Sequence, residues 1–245
     1  MTKPPASPLR VGFDLARAGN FPSVASNVLA ALVLSSLPFH AAFPPAGLLA
    51  LTIVGGCLVY AGGATFNDVF DAAFDAQRRP ERAIPRGLIS RTAAGWLAAG
   101  EMLAGLALLI AGGASAAWAA GLAATILAYD WVHKRWIGSV VLMAGCRVLL
   151  ACALASIPGR GFTPAFVGWV AVLFAYIVTL SLIARWEYKP GAPAAKLGRA
   201  VGRMLAFIPL LDAGALLLAG AWVPALACAL AVPLGRWAQR LAAST

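Results

Sequence analysis

Eight apolar segments of about 17–22 residues run along this chain, and they limit what it can fold into. They cover roughly residues 21–39, 45–66, 93–111, 114–132, 138–157, 164–184, 201–219 and 222–239. Each segment is long enough to cross the hydrocarbon core of a bilayer as a helix. The segments are runs of Leu, Ala, Val and Gly, whereas strands of a membrane barrel would alternate polar and apolar residues. They therefore predict an all-α, polytopic transmembrane protein.

The composition favours one integral membrane domain over residues 1–245, with residues 1–20 as a cytoplasmic N-terminal tail. The chain is 61% hydrophobic and 11% charged, which is more apolar than a soluble domain of this size needs. The net charge of +10 does not indicate a nucleic-acid partner, because the basic residues lie between the apolar segments. The four cysteines fall inside predicted helices, so we expect buried apolar residues and not metal ligands or disulfides.

The basic residues predict the orientation of the protein in its membrane. If the N-terminus is cytoplasmic, the N-terminal tail, the loops after the second, fourth and sixth segments, and the C-terminus all face the cytoplasm. These regions hold all of the 19 lysines and arginines except Arg147 and Arg160. Because cytoplasmic loops are enriched in Lys and Arg, this bias predicts that the N-terminus and the functional site face the cytoplasm. We expect the protein in a bacterial inner (plasma) membrane.

A cluster of carboxylates lies at the end of the second apolar segment, in the sequence Asn67-Asp68-Val-Phe-Asp71-Ala-Ala-Phe-Asp75. On a helix, the spacings of three, four and seven residues place Asp68, Asp71 and Asp75 on one face. Like charges so close together repel each other unless a cation lies between them. Magnesium is usually held by one or two carboxylates together with substrate phosphates. The cluster therefore predicts half of an Mg2+ site, with a diphosphate as the other half.

A basic loop follows the carboxylates directly, from Arg78 to Gly87. Two interpretations of its arginines are open. They could be no more than the positive charge expected of a cytoplasmic loop. Alternatively, they could clamp a diphosphate, because a guanidinium presents a planar fork to phosphate oxygens. A metal and nearby cations are what the breaking of a carbon–diphosphate bond requires.

These two stretches together resemble a known motif. Asn67-Asp68-x-x-Asp71-x-x-x-Asp75, followed by Arg79-Pro80-x-Arg82-x-Ile84-Pro85-x-Gly87, is similar to the first aspartate-rich motif of the UbiA superfamily of intramembrane prenyltransferases. Weaker matches are Asn27, the stretch Tyr129 to Lys134, and Gly145-x-Arg147. Within the superfamily, the EboC-like bacterial branch is the nearest group that we can suggest.

The resemblance implies a fold and a reaction. The fold is a bundle of about eight or nine helices around a central cavity. The reaction moves a prenyl group from a prenyl diphosphate to an acceptor, which is often aromatic but can be another small molecule or a lipid. Asp68, Asp71 and Asp75 are then the catalytic carboxylates that hold Mg2+, with the amide oxygen of Asn67 assisting.

The resemblance also assigns the substrate contacts. Arg79, Arg82 and Lys134 are expected to hold the diphosphate. Asn27 and Arg147 are expected to face the cavity. Phe66, Phe70, Tyr129 and Trp131 could line it near the carboxylates, and the alternative for each is a place in the core or in the aromatic belt at the membrane interface.

The chain departs from the family at the second aspartate-rich motif, which usually follows the sixth segment. That place reads Ser181-Leu-Ile-Ala-Arg185-Trp-Glu187-Tyr-Lys189, with Glu187 as its single carboxylate. Glu187 is expected to complete the site, or else to pair with Arg185 or Lys189 at the membrane surface. One Mg2+ is therefore expected to bind firmly, whereas a second would bind weakly or not at all.

Three further acidic residues lie within the apolar segments. Glu101 and Asp212 lie deep in their segments and are expected to pair with each other or with polar neighbours. Asp130, beside His133 and Lys134, is expected at the membrane interface. Two other functions stay open: a non-catalytic membrane binding protein or carrier for a prenyl or diphosphate lipid, and a transporter for a small anion.

Overall fold

The computed structural model describes residues 7–37, 43–186 and 194–241, and its regular structure is helical. The α-helices are α1 (Pro8–Leu15), α2 (Phe21–Leu34), α3 (Ala46–Arg78), α4 (Arg91–Ala111), α5 (Ala116–Val132), α6 (Ser139–Ala155), α7 (Pro164–Trp186), α8 (Ala194–Leu218) and α9 (Trp222–Leu241). A short 3-10 turn, Ala18–Asn20, connects α1 to α2. Within these residues the only β pairing is an isolated bridge between Ser36 and Arg160. The predicted all-α class is confirmed.

Helices α2 to α9 correspond one to one with the eight predicted apolar segments. The largest difference is in α3, which continues without a break to Arg78. The aspartate cluster is therefore part of this helix and does not belong to a loop that follows it. Among the described helices, α3, α4, α7 and residues 196–218 of α8 are long and apolar enough to cross a membrane. The eight residues of α1 are too few to cross.

Local signals explain several helix ends. Ser7 accepts a hydrogen bond from the backbone N–H of Arg10, and Pro8 occupies the first turn of α1. Ser90 caps α4 by accepting from the N–H of Ala93 at 3.1 Å. Gly113, at φ +96°, ends α4 in a conformation that residues with a Cβ rarely adopt.

Helices α3 and α4 pack closely and antiparallel. A Cβ atom at Gly62 would lie 2.8 Å from the carbonyl oxygen of Ala98 and from the amide nitrogen of Met102. These backbone atoms cannot yield as a flexible side chain would, so only glycine fits at this contact. Small residues of this kind let membrane helices approach each other closely. The helix that carries the aspartates is therefore held firmly against its neighbour.

The outer faces of the bundle are apolar, as expected for a surface in contact with lipid. Leu103 is 68% exposed in α4, and Leu217 is 58% exposed in α8. The buried core is also apolar, with Val28, Leu32, Leu154 and similar residues fully enclosed. Since both surface and interior are apolar, the few buried polar residues locate the functional part of the molecule.

Candidate functional site

A cavity of about 490 Å³ lies inside the bundle, between α2, α3, α5, α6, α7 and α8. Its apolar part is lined by residues such as Val59, Leu122 and Leu150. Gly56 and Gly63 of α3 also line it, so this wall carries no side chains at those two positions. Polar residues gather where α3 ends and the loop after α5 begins. The cavity can therefore take a long apolar group whose polar end lies at these residues.

We call this polar group the cavity mouth, and nine residues define it. They are Arg17, Asn67, Asp68, Asp71, Asp75, Arg82, Asp130, His133 and Lys134. The residues come from the turn after α1, from α3, from the loop after α3, and from α5 with the loop that follows it. The mouth thus brings together parts of the chain that are far apart in the sequence.

The carboxylates of α3 are buried on one face of that helix. Asp68, Asp71 and Asp75 are 5%, 6% and 2% exposed. Asn67 and Asp71 line the cavity itself, whereas Asp68 and Asp75 lie beside the lining. This stretch of helix therefore provides one carboxylate and one amide at the cavity wall, and two further carboxylates next to them.

Two arginines neutralise Asp68. Arg82 donates to its Oδ1 at 2.7 Å, and Arg17 donates to the same oxygen at 3.0 Å. The same Nη2 of Arg17 lies 3.0 Å from Oδ1 of Asn67. Arg17 has φ +46°, an unusual backbone conformation for a residue other than glycine. The turn after α1 is therefore held in a specific shape that directs this guanidinium into the mouth.

Two basic side chains from the loop after α5 face Asp71. The ammonium of Lys134 lies 3.0 Å from Oδ2 of Asp71, and Nε2 of His133 lies 3.2 Å from the carboxylate. The Lys134 ammonium also lies over the ring of Phe74, at 3.9 Å from its centre. Asp71 thus faces an ammonium group and an imidazole ring.

The shifts in pKa at the two arginines reflect this crowding of charge. Burial is the largest single influence and by itself would lower the pKa of Arg17, but the Asp68 carboxylate, Tyr60 and Tyr129 together raise this pKa above its usual value. Burial, and then the neighbouring charge of Arg17, lower the pKa of Arg82. Both guanidiniums stay charged at any physiological pH. Two cations that share one carboxylate leave positive charge available for an anion.

The mouth also contains unpaired buried atoms. Across the described residues, three buried side-chain atoms make no hydrogen bond: Nε of Arg17, Oδ1 of Asp75 and Oδ2 of Asp130. All three belong to the mouth. Unpaired buried polar atoms are costly, and they concentrate where a protein binds something that satisfies them. The mouth therefore has the properties of a ligand-binding site.

A second polar cluster lies deeper in the bundle, and we call it the core network. Its members are Ser23, Ser26, Asn27, Arg147, Trp169 and Asp212. Asp212 is fully buried and accepts hydrogen bonds from Ser26 at 2.7 Å and from Trp169 at 2.9 Å. Asn27 donates to both oxygens of Asp212, and its own carbonyl oxygen accepts from Arg147 at 2.5 Å. This network connects α2, α6, α7 and α8.

The structure places the predicted substrate-binding residues in different surroundings. Tyr129, Arg79, Lys134 and Arg147 line the cavity. Asn27 is not among the lining residues and belongs to the core network. A role for Asn27 in substrate binding stays a prediction, as does the role of each residue that does line the cavity.

Among the aromatic residues proposed as cavity lining, only Tyr129 takes that place. Phe70 is 44% exposed and Trp131 is 67% exposed, so both face outward, while Phe66 packs partly buried against the core.

The deep carboxylates pair with polar neighbours and not with each other. Glu101 accepts from Thr65 at 3.1 Å, and Asp212 belongs to the core network.

Asp130, which was expected at the membrane interface, is enclosed by the protein. Asp130 is 4% exposed and lines the cavity, because its turn of α5 faces inward. His133 and Arg17 were not predicted as site residues at all. The spacing of Leu122, Ile126, Asp130 and His133 repeats every three to four residues, and this inward face could have revealed two of the three.

Glu187, the single carboxylate of the second motif region, lies outside the described residues. Arg185, just before it, lines the cavity and donates to the backbone carbonyls of His133 and Trp136 and, at 2.9 Å, to Oγ of Ser139. Ser181 also lines the cavity. The described end of α7 therefore holds the loop after α5 in place and contributes a cation to the cavity.

The chemistry of the cavity mouth fits Mg2+. Oxygen atoms of carboxylates and amides are the ligands that this ion prefers. Oδ1 of Asp75 makes no hydrogen bond among the described residues, so it is available to bind a metal. In the described part of the chain, no group of three or more His, Cys, Asp or Glu side chains is already arranged around a common point. The cations Arg17, Arg82 and Lys134 pair with the carboxylates, and the same cations are suited to bind a diphosphate.

The fold and the site together define an integral membrane protein with a largely apolar cavity whose opening is charged. The UbiA prenyltransferase family model matches residues 24–244. The chain therefore belongs to the UbiA prenyltransferase family, and the predicted resemblance is confirmed.

Several relatives share part of the sequence. The chain is 36% identical over 115 residues to a digeranylgeranylglyceryl phosphate synthase of Thermococcus gammatolerans, a match that covers 46% of this chain and 42% of that protein. It is 32% identical over 155 residues to a digeranylgeranylglyceryl phosphate synthase of Methanoregula boonei, a match that covers 56% of this chain and 48% of that protein. The chain thus matches less than half the length of these curated relatives.

Two solved structures share the fold. The first comes from structural work on digeranylgeranylglyceryl phosphate synthase in membranes. It matches this chain with a TM-score of 0.59 and 15% identity, and the match covers 95% of each chain. The second is a UbiA homologue from Archaeoglobus fulgidus, bound to DMAPP and Mg2+. It matches with a TM-score of 0.53 and 14% identity, and the match covers 91% of this chain and 85% of the homologue. At these identities the likeness is one of fold.

Proposed function

We propose that this protein is an Mg2+-dependent intramembrane prenyltransferase that uses a prenyl diphosphate as donor. The observation that carries the proposal is the cavity mouth, where three buried carboxylates share one face of α3 and two of them, Asp68 and Asp71, meet Arg17, Arg82 and Lys134 at hydrogen-bond distance. A metal-binding face and a set of phosphate-binding cations stand together at the polar end of an apolar cavity. Family membership and the DMAPP and Mg2+ bound by the Archaeoglobus homologue support this proposal.

The donor would lie with its diphosphate at the mouth and its isoprenoid tail in the apolar part of the cavity. Val59, Leu122 and Leu150 offer the tail an apolar surface. Arg79, Arg82 and Lys134 bind the diphosphate in this proposal, and Arg17 joins them. Because the cations of the mouth already pair with Asp68 and Asp71, diphosphate binding would exchange one anionic partner for another and would free these two carboxylates for the metal.

Asp68, Asp71 and Asp75 act in this proposal as the ligands of Mg2+, with Asn67 assisting. When bound, Mg2+ would neutralise the diphosphate oxygens while the carbon–oxygen bond of the donor breaks. The guanidiniums of Arg17 and Arg82 stabilise the departing negative charge. Tyr129 lines the cavity, with its ring stacked on that of His133, and an aromatic ring in this place can stabilise positive charge on the prenyl carbon. The acceptor forms a bond to that carbon and loses a proton.

The acceptor class follows from the relatives more than from the cavity. The matched curated relatives are named digeranylgeranylglyceryl phosphate synthases, which favours a phosphorylated glyceryl lipid with a free hydroxyl as acceptor. An aromatic acceptor, as in the sequence-based prediction, is the second candidate. Competition between the two acceptor classes in a transfer assay with radiolabelled donor distinguishes them.

Three further features belong to the same proposal. The chain works as one unit over residues 1–245, its N-terminus lies in the cytoplasm, and the mouth opens to that side. Glu187 contributes to the site from beyond α7. Labelling of a cysteine introduced at position 86 by a membrane-impermeant reagent, in intact and in opened cells, tests the sidedness. We expect the reagent to label the introduced cysteine in opened cells and not in intact cells.

The decisive experiment is equilibrium binding of geranylgeranyl thiodiphosphate to the purified protein, with Mg2+ and with EDTA. Wild type is expected to bind tightly with Mg2+ only. Asp71→Ala should weaken binding about a hundredfold or more, because it removes the carboxylate that faces the cavity. Glu101→Gln is the matched control, since it changes a half-buried carboxylate that is not among the lining residues. Binding that ignores both EDTA and Asp71→Ala would refute the proposal.

A carrier for prenyl lipids is the second candidate, and the described end of α7 favours it. Residues 181–186 include no carboxylate, although the family's second acidic motif belongs to this region. A carrier would bind the donor and release no diphosphate with any acceptor. Release of diphosphate by wild type, with none from Asp71→Ala, would rule out this alternative.

A further inference from the structure

Asp130 is a buried carboxylate at the cavity mouth that the function described so far does not use. It is 4% exposed and lines the cavity from α5, opposite the carboxylates of α3. Its Oδ1 accepts a hydrogen bond from Nδ2 of Asn67 at 3.1 Å. Its Oδ2 has no hydrogen-bond partner among the described residues. A buried carboxylate oxygen without a partner is unfavourable unless something else binds it.

The neighbours of Asp130 are the residues that the proposed function assigns to the metal. Nδ2 of Asn67 lies between Asp130 and His133, at 3.1 Å and 3.5 Å. His133 in turn lies 3.2 Å from Asp71. Asn67, Asp71, Asp130 and His133 all line the same cavity. The carboxylates of Asp71 and Asp130 therefore approach one region of the mouth from two different helices.

We propose that Asp130 is a metal-binding carboxylate, which completes from α5 the Mg2+ site that α3 begins. The inference rests on the proposed function. It accounts for the unpaired Oδ2 of Asp130, because the metal would be its partner. It also accounts for how a site can hold Mg2+ although residues 181–186 provide no carboxylate. The amide of Asn67 then orients Asp130 through its N–H group and offers its oxygen to the metal.

A purely structural role and a donor-contact role for Asp130 predict different behaviour from a metal-binding role. If Asp130 only held Asn67 in place, Asn at position 130 would do the same, since its carbonyl oxygen can accept the same hydrogen bond. If Asp130 touched the donor only, its loss would weaken donor binding equally at every Mg2+ concentration. A metal ligand is distinguished by a shift in the Mg2+ concentration that donor binding requires.

The test measures binding of geranylgeranyl thiodiphosphate over a series of Mg2+ concentrations. For Asp130→Asn we expect the half-saturating Mg2+ concentration to rise about tenfold or more, while the donor affinity at saturating Mg2+ stays near that of wild type. Asp130→Glu keeps a carboxylate and should restore much of the Mg2+ affinity. Glu101→Gln should behave as wild type. Thermal unfolding without Mg2+ confirms that each variant is folded, and Asp130→Ser, which also lacks the carboxylate and should raise the half-saturating Mg2+ concentration in the same way, serves if Asp130→Asn does not fold.

The outcomes separate this inference from the function on which it rests. A half-saturating Mg2+ concentration for Asp130→Asn within twofold of wild type would overturn the role of Asp130, and the prenyltransferase proposal would stand if Asp71→Ala still abolished binding. An equal loss of donor affinity at all Mg2+ concentrations would also overturn it. If wild type bound the donor without any need for Mg2+, the proposed function itself would fail and the role of Asp130 with it.

Discussion

The cavity mouth and the core network are both buried groups of charged and polar residues, yet their hydrogen bonding differs. In the core network, both oxygens of Asp212 accept hydrogen bonds, and Arg147 donates to Asn27 and Ser23. In the mouth, three buried atoms find no partner within the described part of the chain, and two arginines share one oxygen of Asp68. The core network is complete by itself, whereas the mouth retains polar atoms that can bind a ligand.

The difference indicates what each group contributes. A buried charge without compensation costs several kcal/mol, so a complete network stabilises the arrangement of the helices that share it. A group with closely spaced charges of both signs and unpaired carboxylate oxygens gives up stability in exchange for the ability to bind a metal and an anion. We therefore expect changes in the core network to affect folding first, and changes in the mouth to affect ligand binding first.

The largest expected effect is on the core network. Asp212→Ala leaves the donors on Ser26, Asn27 and Trp169 without an acceptor, and leaves Arg147 without a nearby negative charge. We expect it to lower the free energy of unfolding by about 3–5 kcal/mol. Equilibrium unfolding in mixed detergent micelles measures this change in the free energy of unfolding.

The matched variant in the mouth is Arg82→Gln, because Arg17 still pairs with Asp68. We expect a loss of stability of no more than about 1 kcal/mol. Equal losses for the two variants would contradict the division of roles between the two clusters.

A smaller effect is expected for Arg17→Gln. This change removes a guanidinium that faces the mouth, and we expect the affinity for geranylgeranyl thiodiphosphate to fall about tenfold, the size typical of one lost hydrogen bond to a charged group. Arg10→Gln is a suitable control, because Arg10 makes an exposed ion pair with Asp14 away from the mouth. A normal donor affinity for Arg17→Gln would remove Arg17 from the diphosphate site.

The smallest effect is expected for Lys134→Met. The Lys134 side chain is 36% exposed, so water screens its charge, and we expect the donor affinity to fall only about threefold. Lys134→Arg keeps the positive charge and should lie near wild type. A loss as large as that of Arg17→Gln would show that water does not reach this part of the mouth when the donor is bound.

Much of the fold could be predicted because it depends on local features. The apolar segments indicated the helices, and the spacing of Asp68, Asp71 and Asp75 indicated their common face, since both follow from the geometry of one helix. The mouth as a whole depends on contacts between helices. Arg17 reaches Asp68 from 51 residues away, and nothing in its neighbourhood indicates that contact.

Asp130 shows the limit most clearly. Its position at the end of α5, next to charged residues, favoured a place at the membrane interface. The way α5 packs turns this residue inward instead. A single sequence states which residues share a helix face, but the direction of that face is decided by the neighbours against which the helix packs.

The cavity wall formed by α3 has a consequence for how the protein could change its substrate. At Gly63 an added methyl group would lie 3.0 Å from a methyl carbon of Ile126, and at Gly56 it would lie 3.2 Å from one of Val28. Hydrogen is already the smallest side group, so no single substitution at these two positions can enlarge the chamber. Substitutions at these two glycines can therefore only shorten the chamber, and a longer chamber requires a smaller side chain at another lining position, such as Val59 or Leu122.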